Sequence, residues 1–225
     1  MYSAIVLAAG IGSRMELGYN KMLHEIKGYP VVVHTIKKFL NDVKCGQVVL
    51  VVNELEVEAM QQILNDANIV ENRIEIVKGG SERQYSVYNG LQFVREEVVL
   101  VHDGARPFVT SQMIKECYEL AIQGCPSIVA VPVKDTMKRV VNGVVIETPN
   151  RDEMYSVQTP QASPTILLKQ AHEAAKIADF LGTDEASLIE KYTDVSVHVV
   201  NGAYTNIKLT TPEDLLMAEQ LLVAE

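Results

Sequence analysis

Residues 4–21 read Ala4-Ile-Val-Leu-Ala-Ala-Gly10-Ile-Gly12-Ser-Arg14-Met-Glu-Leu-Gly-Tyr-Asn-Lys21, an apolar run followed by a glycine loop that carries two cations. The glycines let the backbone approach a ligand closely because they have no Cβ. Arg14 offers a planar fork for phosphate oxygens, and Lys21 offers a point charge seven positions later. The stretch predicts a buried strand that ends in a polyphosphate-binding loop. An ordinary strand-to-helix turn with two solvated cations is the alternative.

This loop differs from the two commonest phosphate loops. A dinucleotide fingerprint would have glycine at position 15, where Met15 stands, and a P-loop would have Lys-Ser/Thr where Ser13-Arg14 stands. A nicotinamide-dependent oxidoreductase is therefore disfavoured. A nucleotide-binding module without catalytic activity stays open as a function of another class, although the presence of both Arg14 and Lys21 argues against it.

Composition bounds the partners and the compartment. The 225 residues are 48% hydrophobic, enough for one domain spanning 1–225, and the net charge of −9 disfavours a nucleic-acid-binding surface. The three cysteines form no CxxC pair, which is typical of a reducing cytosol. No run has the features of a secretory leader or reaches the length of a membrane span, so we expect a cytoplasmic protein with no membrane partner.

Strands and helices alternate from the first residues. Apolar runs predict strands at 4–9, 47–52, 74–77, 98–102 and 127–131. Helices are predicted after Pro30, over 54–66, from a capping box at Ser81–Gln84, and over 111–123 up to Gly124. Repeated strand-helix units indicate an α/β fold with a doubly wound, mostly parallel sheet.

The alternation breaks at Pro132. Residues 137–147 carry Asn142-Gly143 between β-branched runs, a strong hairpin signal. A lone two-stranded ribbon is marginal in water, so we expect this protruding arm to pack on a partner chain or to fold back on its own domain. A helix near 184–192, a strand at 195–200 and a final helix capped by Thr211 are predicted beyond the arm.

The chemistry is expected at the carboxyl ends of the parallel strands, where ligands bind open sheets. Asp103 ends the fourth strand and suits a Mg²⁺ ion that bridges phosphates, or else a helix cap or a ribose contact. Arg106 is interpreted as pinning its own loop. Spacing alone predicts that Lys208 is solvated. No Ser/His/Asp or Cys/His arrangement indicates a nucleophile.

Several motifs together resemble the 2-C-methyl-D-erythritol 4-phosphate cytidylyltransferase family over essentially the whole chain. The motifs are Ala8–Arg14 with Lys21, Gly79-Gly-Ser-Glu-Arg-Gln-Tyr-Ser86, Val101-His-Asp-Gly-Ala-Arg-Pro107, Pro132–Lys138, Arg151 with Gln158–Gln161, Thr183-Asp-Glu-Ala-Ser187, and Asn206-Ile-Lys208. The resemblance implies a Rossmann-like nucleotidyltransferase that transfers a cytidylyl group from CTP to an alditol phosphate, with Mg²⁺ as cofactor.

The resemblance also implies roles for single residues. Arg14 and Lys21 would contact the triphosphate as catalytic residues, and Asp103 would lie beside the ribose, the phosphates and the metal. Arg151 and Thr136 would hold the acceptor phosphate, which Lys208 would help to position near the reacting centre. Arg151 and Lys208 would thus be catalytic residues as well as substrate-binding ones. The remaining nucleotide-binding positions would be Ala8, Ala9, Gly10, Gly12, Gly80 and Ser86.

The family likeness further implies a homodimer. The arm, placed at 132–160, would interlock two subunits, so that Thr136 and Arg151 reach the neighbour's site. The expected acceptor is 2-C-methyl-D-erythritol 4-phosphate. A related family with much the same framework acts on ribitol 5-phosphate, which is the alternative acceptor.

Overall fold

The computed structural model describes residues 1–10, 20–69 and 72–222. Seven α-helices lie within these ranges: α1 Val31–Leu40, α2 Val57–Asp66, α3 Arg83–Leu91, α4 Ser111–Ala121, α5 Thr165–Ile177, α6 Glu185–Tyr192 and α7 Pro212–Leu221. The described strands are β1 Tyr2–Ala8, β2 Glu25–Ile26, β3 Tyr29–Pro30, β4 Cys45–Val52, β5 Ile74–Lys78, β6 Val98–Asp103, β7 Ser127–Pro132, β8 Arg139–Val141, β9 Val144–Glu147, β10 Tyr155–Pro164 and β11 His198–Asn201.

Seven strands form the central sheet in the order β11-β7-β10-β6-β1-β4-β5. β1 pairs in parallel with β4 and with β6, and only β10 runs antiparallel to its neighbours β6 and β7 among these strands. All seven residues of β1 are buried, as expected for a strand covered on both faces. The predicted α/β class and mostly parallel sheet are confirmed.

Helices cover both faces of this sheet. On one face, Val48 and Leu50 pack with side chains of α1, α2, α4 and α7, among them Phe39 of α1. On the other face, Val49 and Val51 pack with side chains of α3, α5 and α6. Successive residues of a strand point to opposite faces, so β4 contributes to both cores, and the doubly wound prediction is confirmed.

The arm is a two-stranded hairpin outside the central sheet. β8 pairs with β9, and Asn142 and Gly143 between them have positive φ values of 50° and 77°. This conformation matches the Asn-Gly turn that the sequence indicates. Every residue of β8 and β9 is exposed. Residues 155–160, which were predicted as part of the arm, lie instead in β10 of the central sheet.

The structure also differs from the sequence-based prediction at the start of α3, in β10 and in α5. The capping box predicted at Ser81–Gln84 is wrong, because α3 begins at Arg83 and its N-cap residue, Glu82, makes no side-chain capping bond. The Gln84 side chain is used elsewhere: it donates to the Phe180 carbonyl and accepts from the Gly182 amide. β10 and α5 were not predicted. Pro160 and Pro164 argue against a strand, because proline cannot donate a hydrogen bond to a neighbouring strand. The helix could have been predicted, because Leu168, Ala171 and Ala175 have helical spacing.

Two smaller features concern the cysteines and the length of the helices. Cys45 and Cys117 are buried free thiols, and Cys125 is a half-buried one. Within 1–10, 20–69 and 72–222, every helix is too short or too polar to cross a bilayer.

Candidate active site

A cavity of about 360 Å³ opens at the carboxyl ends of β1 and β6, beside the start of α3. Its walls bring together parts of the chain that are far apart in sequence, such as Gly10 and Lys208. The lining residues are Leu7, Ala9, Gly10, Lys21, Met22, Gly80, Ser81, Glu82, Arg83, Ser86, Asp103, Ala105 and Lys208. Ligands of open parallel sheets bind at this edge.

Lys21 is held at the cavity by its neighbour Asn20. The Asn20 amide donates to the carbonyl of Ala8 at the end of β1 (3.2 Å) and to the carboxylate of Glu56 (2.6 Å). The Asn20 side-chain oxygen accepts from the Met22 amide and so caps the short 3-10 turn Lys21–Leu23. Lys21 is only 8% exposed. The turn that carries Lys21 is therefore fixed beside the end of the first strand, and the lysine is largely buried there.

The Gly79-Gly80 turn forms the part of the cavity wall that packs against Ala9 at the end of β1. A Cβ at Gly79 would lie 2.6 Å from the Ala9 Cβ, and one at Gly80 would lie 2.5 Å from the Tyr85 Cβ. Only glycine fits these approaches without moving the neighbouring chain. The Ser86 hydroxyl accepts from the Gly80 amide at 3.0 Å. Gly80 and Ser86, predicted as nucleotide-binding residues, thus lie together in the cavity wall.

Asp103 is the centre of a charge cluster. Lys208 Nζ lies 2.9 Å from Asp103 Oδ2, Arg106 Nε lies 3.4 Å from the same oxygen, and Arg83 Nε lies 3.6 Å from Oδ1. Burial alone would raise the pKa of Asp103, but Lys208, Arg83 and Arg106 outweigh it and hold the pKa well below its usual range. Asp103 is therefore ionised at neutral pH.

Hydrogen bonds to the backbone on both sides of Lys208 hold it beside this cluster. The Leu209 amide donates to the Ala105 carbonyl at 2.9 Å, and Arg106 Nη1 donates to the Asn206 carbonyl at 2.8 Å. The expectation from spacing that Lys208 is solvated is therefore wrong, while the interpretation of Arg106 as a residue that pins its loop is confirmed.

A hydrogen-bond chain behind Asp103 fixes the strand end. The Asp103 amide donates to the Thr159 hydroxyl, which lies 3.0 Å from His102 Nδ1, and His102 Nε2 lies 3.0 Å from the Arg106 carbonyl. A carbonyl only accepts, so Nε2 carries the hydrogen and Nδ1 accepts from the hydroxyl. Burial lowers the pKa of His102 to about 4, which keeps the ring neutral at neutral pH. These hydrogen bonds hold the backbone of Asp103 in place at the end of β6.

Arg83 is a functional-site residue that sequence reasoning missed. It lines the cavity, contacts Asp103 and makes a two-pronged ion pair with buried Glu185. Its position three residues after the Gly79-Gly80 turn was the available signal. Glu185 lies in the Thr183–Ser187 motif, but no local pattern indicated its contact with Arg83, which joins residues 102 positions apart.

The other predicted residues are distributed as follows. Ala9, Gly10, Lys21, Gly80, Ser86, Asp103 and Lys208 share the cavity, and Ala8 lies buried at the adjoining strand end. Gly12 and Arg14 lie outside the described residues. Thr136 and Arg151 lie at the base of the arm, outside the lining of this chain's cavity, where the Arg151 guanidinium donates to the Lys134 carbonyl at 3.3 Å.

Three basic side chains (Lys21, Arg83 and Lys208) and two acidic ones (Glu82 and the ionised Asp103) thus border one cavity on a chain of net charge −9. Such an arrangement binds an anionic ligand and stabilises further negative charge that develops on it. Among the residues that the structure describes, the cation beside Asp103 Oδ1 is Arg83 at 3.6 Å, so this oxygen has lone pairs to offer a hard metal ion. No group of three or more metal-ligating side chains occurs in the part of the chain described here. Magnesium sites completed by substrate phosphates need only one or two carboxylates, so the residues fit such an ion.

Comparison with known sequences gives a family. Residues 2–224 match the sequence profile of the 2-C-methyl-D-erythritol 4-phosphate cytidylyltransferases. A protein of that name from Bacillus velezensis is 49% identical over 225 residues, which cover 100% of this chain and 97% of the relative. Another from Halalkalibacterium halodurans is 49% identical over 222 residues, which cover 98% and 96% respectively.

Solved structures agree with this result. The 4-diphosphocytidyl-2C-methyl-D-erythritol synthase of Anaerococcus prevotii superimposes with a TM-score of 0.87 at 32% identity, covering 98% of this chain and 95% of that one. The 2-C-methyl-D-erythritol 4-phosphate cytidylyltransferase of Francisella tularensis gives 0.79 at 28% identity, with 98% and 99% covered. With a profile match across nearly its whole length and close relatives of the same name, the chain belongs to the 2-C-methyl-D-erythritol 4-phosphate cytidylyltransferase family and is a nucleotidyltransferase.

Proposed function

We propose that the cavity described above is where this enzyme transfers a cytidylyl group from CTP to 2-C-methyl-D-erythritol 4-phosphate and releases pyrophosphate. The observation that carries this proposal is the convergence of Lys21, Arg83 and Lys208 around Asp103 at the carboxyl edge of the sheet. Family membership supports both the reaction class and the acceptor. Residues 1–225 would act as one domain built on the single seven-stranded sheet.

The physical difficulty of the reaction is charge repulsion. The acceptor phosphate carries about −1.5 to −2 charges at neutral pH and must approach an anionic triphosphate. Its attacking oxygen is already ionised, so no general base is required. Lys21 and Lys208 would hold the two anions in line and stabilise the charge that develops at the α-phosphorus before pyrophosphate leaves. Arg14, by family resemblance, would add a further cation to the triphosphate.

The nucleotide base would bind where the end of β1 adjoins the Gly79-Gly80 turn. Ala8 and Ala9 at the end of β1, Gly10 and Gly12 in the loop, and Gly80 with Ser86 form the proposed nucleotide-binding set. Gly79 lies close to Ala9, so the Gly79-Gly80 turn adjoins the end of β1 here. By family resemblance, backbone groups of this pocket would read cytosine, and the pocket would be too tight for a purine.

A divalent cation, Mg²⁺, is the proposed cofactor, with Asp103 as its protein ligand. When bound, it would neutralise charge on the triphosphate and orient its phosphates. Asp103 would keep two of its counter-ions, Arg83 and Arg106, while it contributes an oxygen to the ion.

The proposed assembly is a homodimer formed through the arm. Val140, Val141, Val144, Val145 and Ile146 are between 47% and 61% exposed in the single chain, which is unfavourable for a free hairpin. Packing against a second copy would bury them and would bring Thr136 and Arg151 to the neighbour's cavity. We also propose a cytoplasmic location, which the three unpaired cysteines and the need for CTP support.

The acceptor panel tests the proposed reaction. We expect CTP-dependent pyrophosphate release with 2-C-methyl-D-erythritol 4-phosphate and a rate at least about tenfold lower with ribitol 5-phosphate, because the acceptor must be held in line with the α-phosphorus. Faster turnover of ribitol 5-phosphate would establish the alternative acceptor. No release with either would favour a catalytically silent nucleotide-binding module, and NAD binding would favour an oxidoreductase.

Mixing two impaired variants tests the shared site, in an assay at an acceptor concentration far below the raised KM of Arg151→Ala. Arg151→Ala is expected to raise KM for the acceptor phosphate, because a ligand of that phosphate is lost. In a mixture of Arg151→Ala and Lys21→Ala subunits, each mixed dimer would contain one site with both residues intact. Random pairing should restore roughly a quarter of wild-type activity. Activity no higher than the mean of the two separate variants would show that each subunit is self-contained.

A further inference from the structure

Glu185 is a buried carboxylate just outside the proposed catalytic cavity. It is the first residue of α6, and its side chain is 3% exposed. Its two oxygens each accept a hydrogen bond from Arg83, at 2.7 Å from Nη1 to Oε1 and 2.9 Å from Nη2 to Oε2. A bidentate pair of this kind fixes the plane of the guanidinium as well as its position. Glu185 does not line the cavity, but Arg83 does.

The pair continues into the site as a row of alternating charges. Arg83 turns its Nε edge to Asp103 Oδ1 at 3.6 Å, and Lys208 lies on the other carboxylate oxygen at 2.9 Å. Burial would lower the pKa of Arg83, but Glu185 and Asp103 raise it above its usual value. The guanidinium is thus a permanent charge whose two ends face two different carboxylates.

Glu185 is itself held by the protein. Its neighbour Asp184 caps α6 through the Ser187 amide at 2.9 Å, and Gln161 of β10 bonds both Asp184 (2.9 Å) and the Ala186 amide (3.1 Å). The start of α6 is therefore tied to the central sheet. A side chain carried on a fixed helix end can orient its partner without touching the substrate.

We propose that Glu185 is a positioning residue, which holds Arg83 as a fixed counter-ion of Asp103 so that Lys208 can leave that carboxylate for a substrate phosphate. The proposal rests on the proposed catalytic role of the cavity. Without Glu185, the Arg83 fork would be free to close on Asp103 or on the triphosphate. Either movement would shift the positive charge of Arg83 away from the position in which it balances Asp103 and leaves Lys208 available to the phosphates.

Glu185→Gln is the main test, because it keeps the shape of the side chain and removes its charge. We expect kcat/KM with CTP and 2-C-methyl-D-erythritol 4-phosphate to fall roughly 10- to 100-fold, the effect of a small misplacement near a reacting centre. Glu190→Gln is the matched control, since Glu190 is exposed on the same helix, and its kcat/KM should be unchanged. Thermal unfolding of each variant sets an assay temperature at which all are folded.

A double-mutant cycle separates positioning from general support of the fold. If Glu185 acts through Arg83, Glu185→Gln should cost much less in kcat/KM in an Arg83→Lys background than in the wild type. Additive losses in the cycle, or wild-type kcat/KM in Glu185→Gln, would overturn this inference. Lack of activity in the wild-type enzyme would instead overturn the proposed function, so the two failures are distinguishable.

Discussion

Replacing Lys21 by alanine is expected to lower kcat about 10²- to 10³-fold, the typical cost of losing one preorganised contact to developing charge. Lys21 is 8% exposed and lies in a turn that Asn20 ties to the end of β1. Because its turn is anchored and the residue is largely buried, Lys21 has little freedom to lose when charge develops at the α-phosphorus. The measurement is steady-state pyrophosphate release at saturating CTP and acceptor.

The control for this variant is Lys115→Ala, which removes an exposed lysine of α4 outside the cavity lining. It should retain wild-type kcat. The capping contacts of Asn20 do not involve the Lys21 side chain, so the circular dichroism spectrum of Lys21→Ala should match that of the wild type. A folded Lys21→Ala enzyme with kcat within about threefold of wild type would contradict a catalytic role at this position.

Replacing Asp103 by asparagine is expected to reduce both activity and stability. The substitution leaves Lys208, Arg83 and Arg106 without the carboxylate that they share. We expect kcat to fall about 10²-fold or more because these cations lose their common anchor. The free energy of unfolding should fall by about 3 kcal/mol, the low end for a broken buried ion pair, because Lys208 stays partly exposed.

The pH dependence of this stability loss follows from the lowered pKa of Asp103. A carboxylate with a lowered folded-state pKa stabilises the protein fully above its unfolded pKa of about 3.9, and this contribution is lost as pH falls towards the folded-state pKa. The difference in unfolding free energy between wild type and Asp103→Asn should therefore be constant near neutral pH and shrink below about pH 4. Asp194→Asn, at an exposed position, is the control. Equal stability of Asp103→Asn and wild type at pH 7 would show that the cluster does not hold the fold.

Most of the sheet could be predicted because its signals are local. β1, β4, β5, β6 and β7 are short apolar runs bounded by turn residues, and the hairpin follows from Asn142-Gly143. The start of α3 could not be predicted in the same way. Ser81 and Gln84 have the spacing of a capping box, but the Gln84 side chain bonds the backbone of Phe180 and Gly182 instead. A tertiary partner outcompeted the local pattern.

The antiparallel strand β10 shows the same limit. Its sequence holds two prolines and several polar side chains, which disfavour a central strand. The protein accommodates it by a register irregularity against β7 between Val157 and Gln161, and by giving its polar groups defined partners. Gln158 donates to the Ala203 carbonyl, and Thr159 bonds His102 and the Asp103 amide. Those partners lie on other strands and loops, so no window of sequence contains them.

The sequence by itself determined the alternation of strands and helices, the hairpin, and the residue types for binding polyphosphate, because each depends on residues a few positions apart. Tertiary structure decided which charges meet. Lys208 reaches Asp103 across 105 positions, and Glu185 reaches Arg83 across 102. Such contacts depend on how the sheet orders its strands and where the loops cross its carboxyl edge, and Coulombic attraction acts over distance in space and not along the chain.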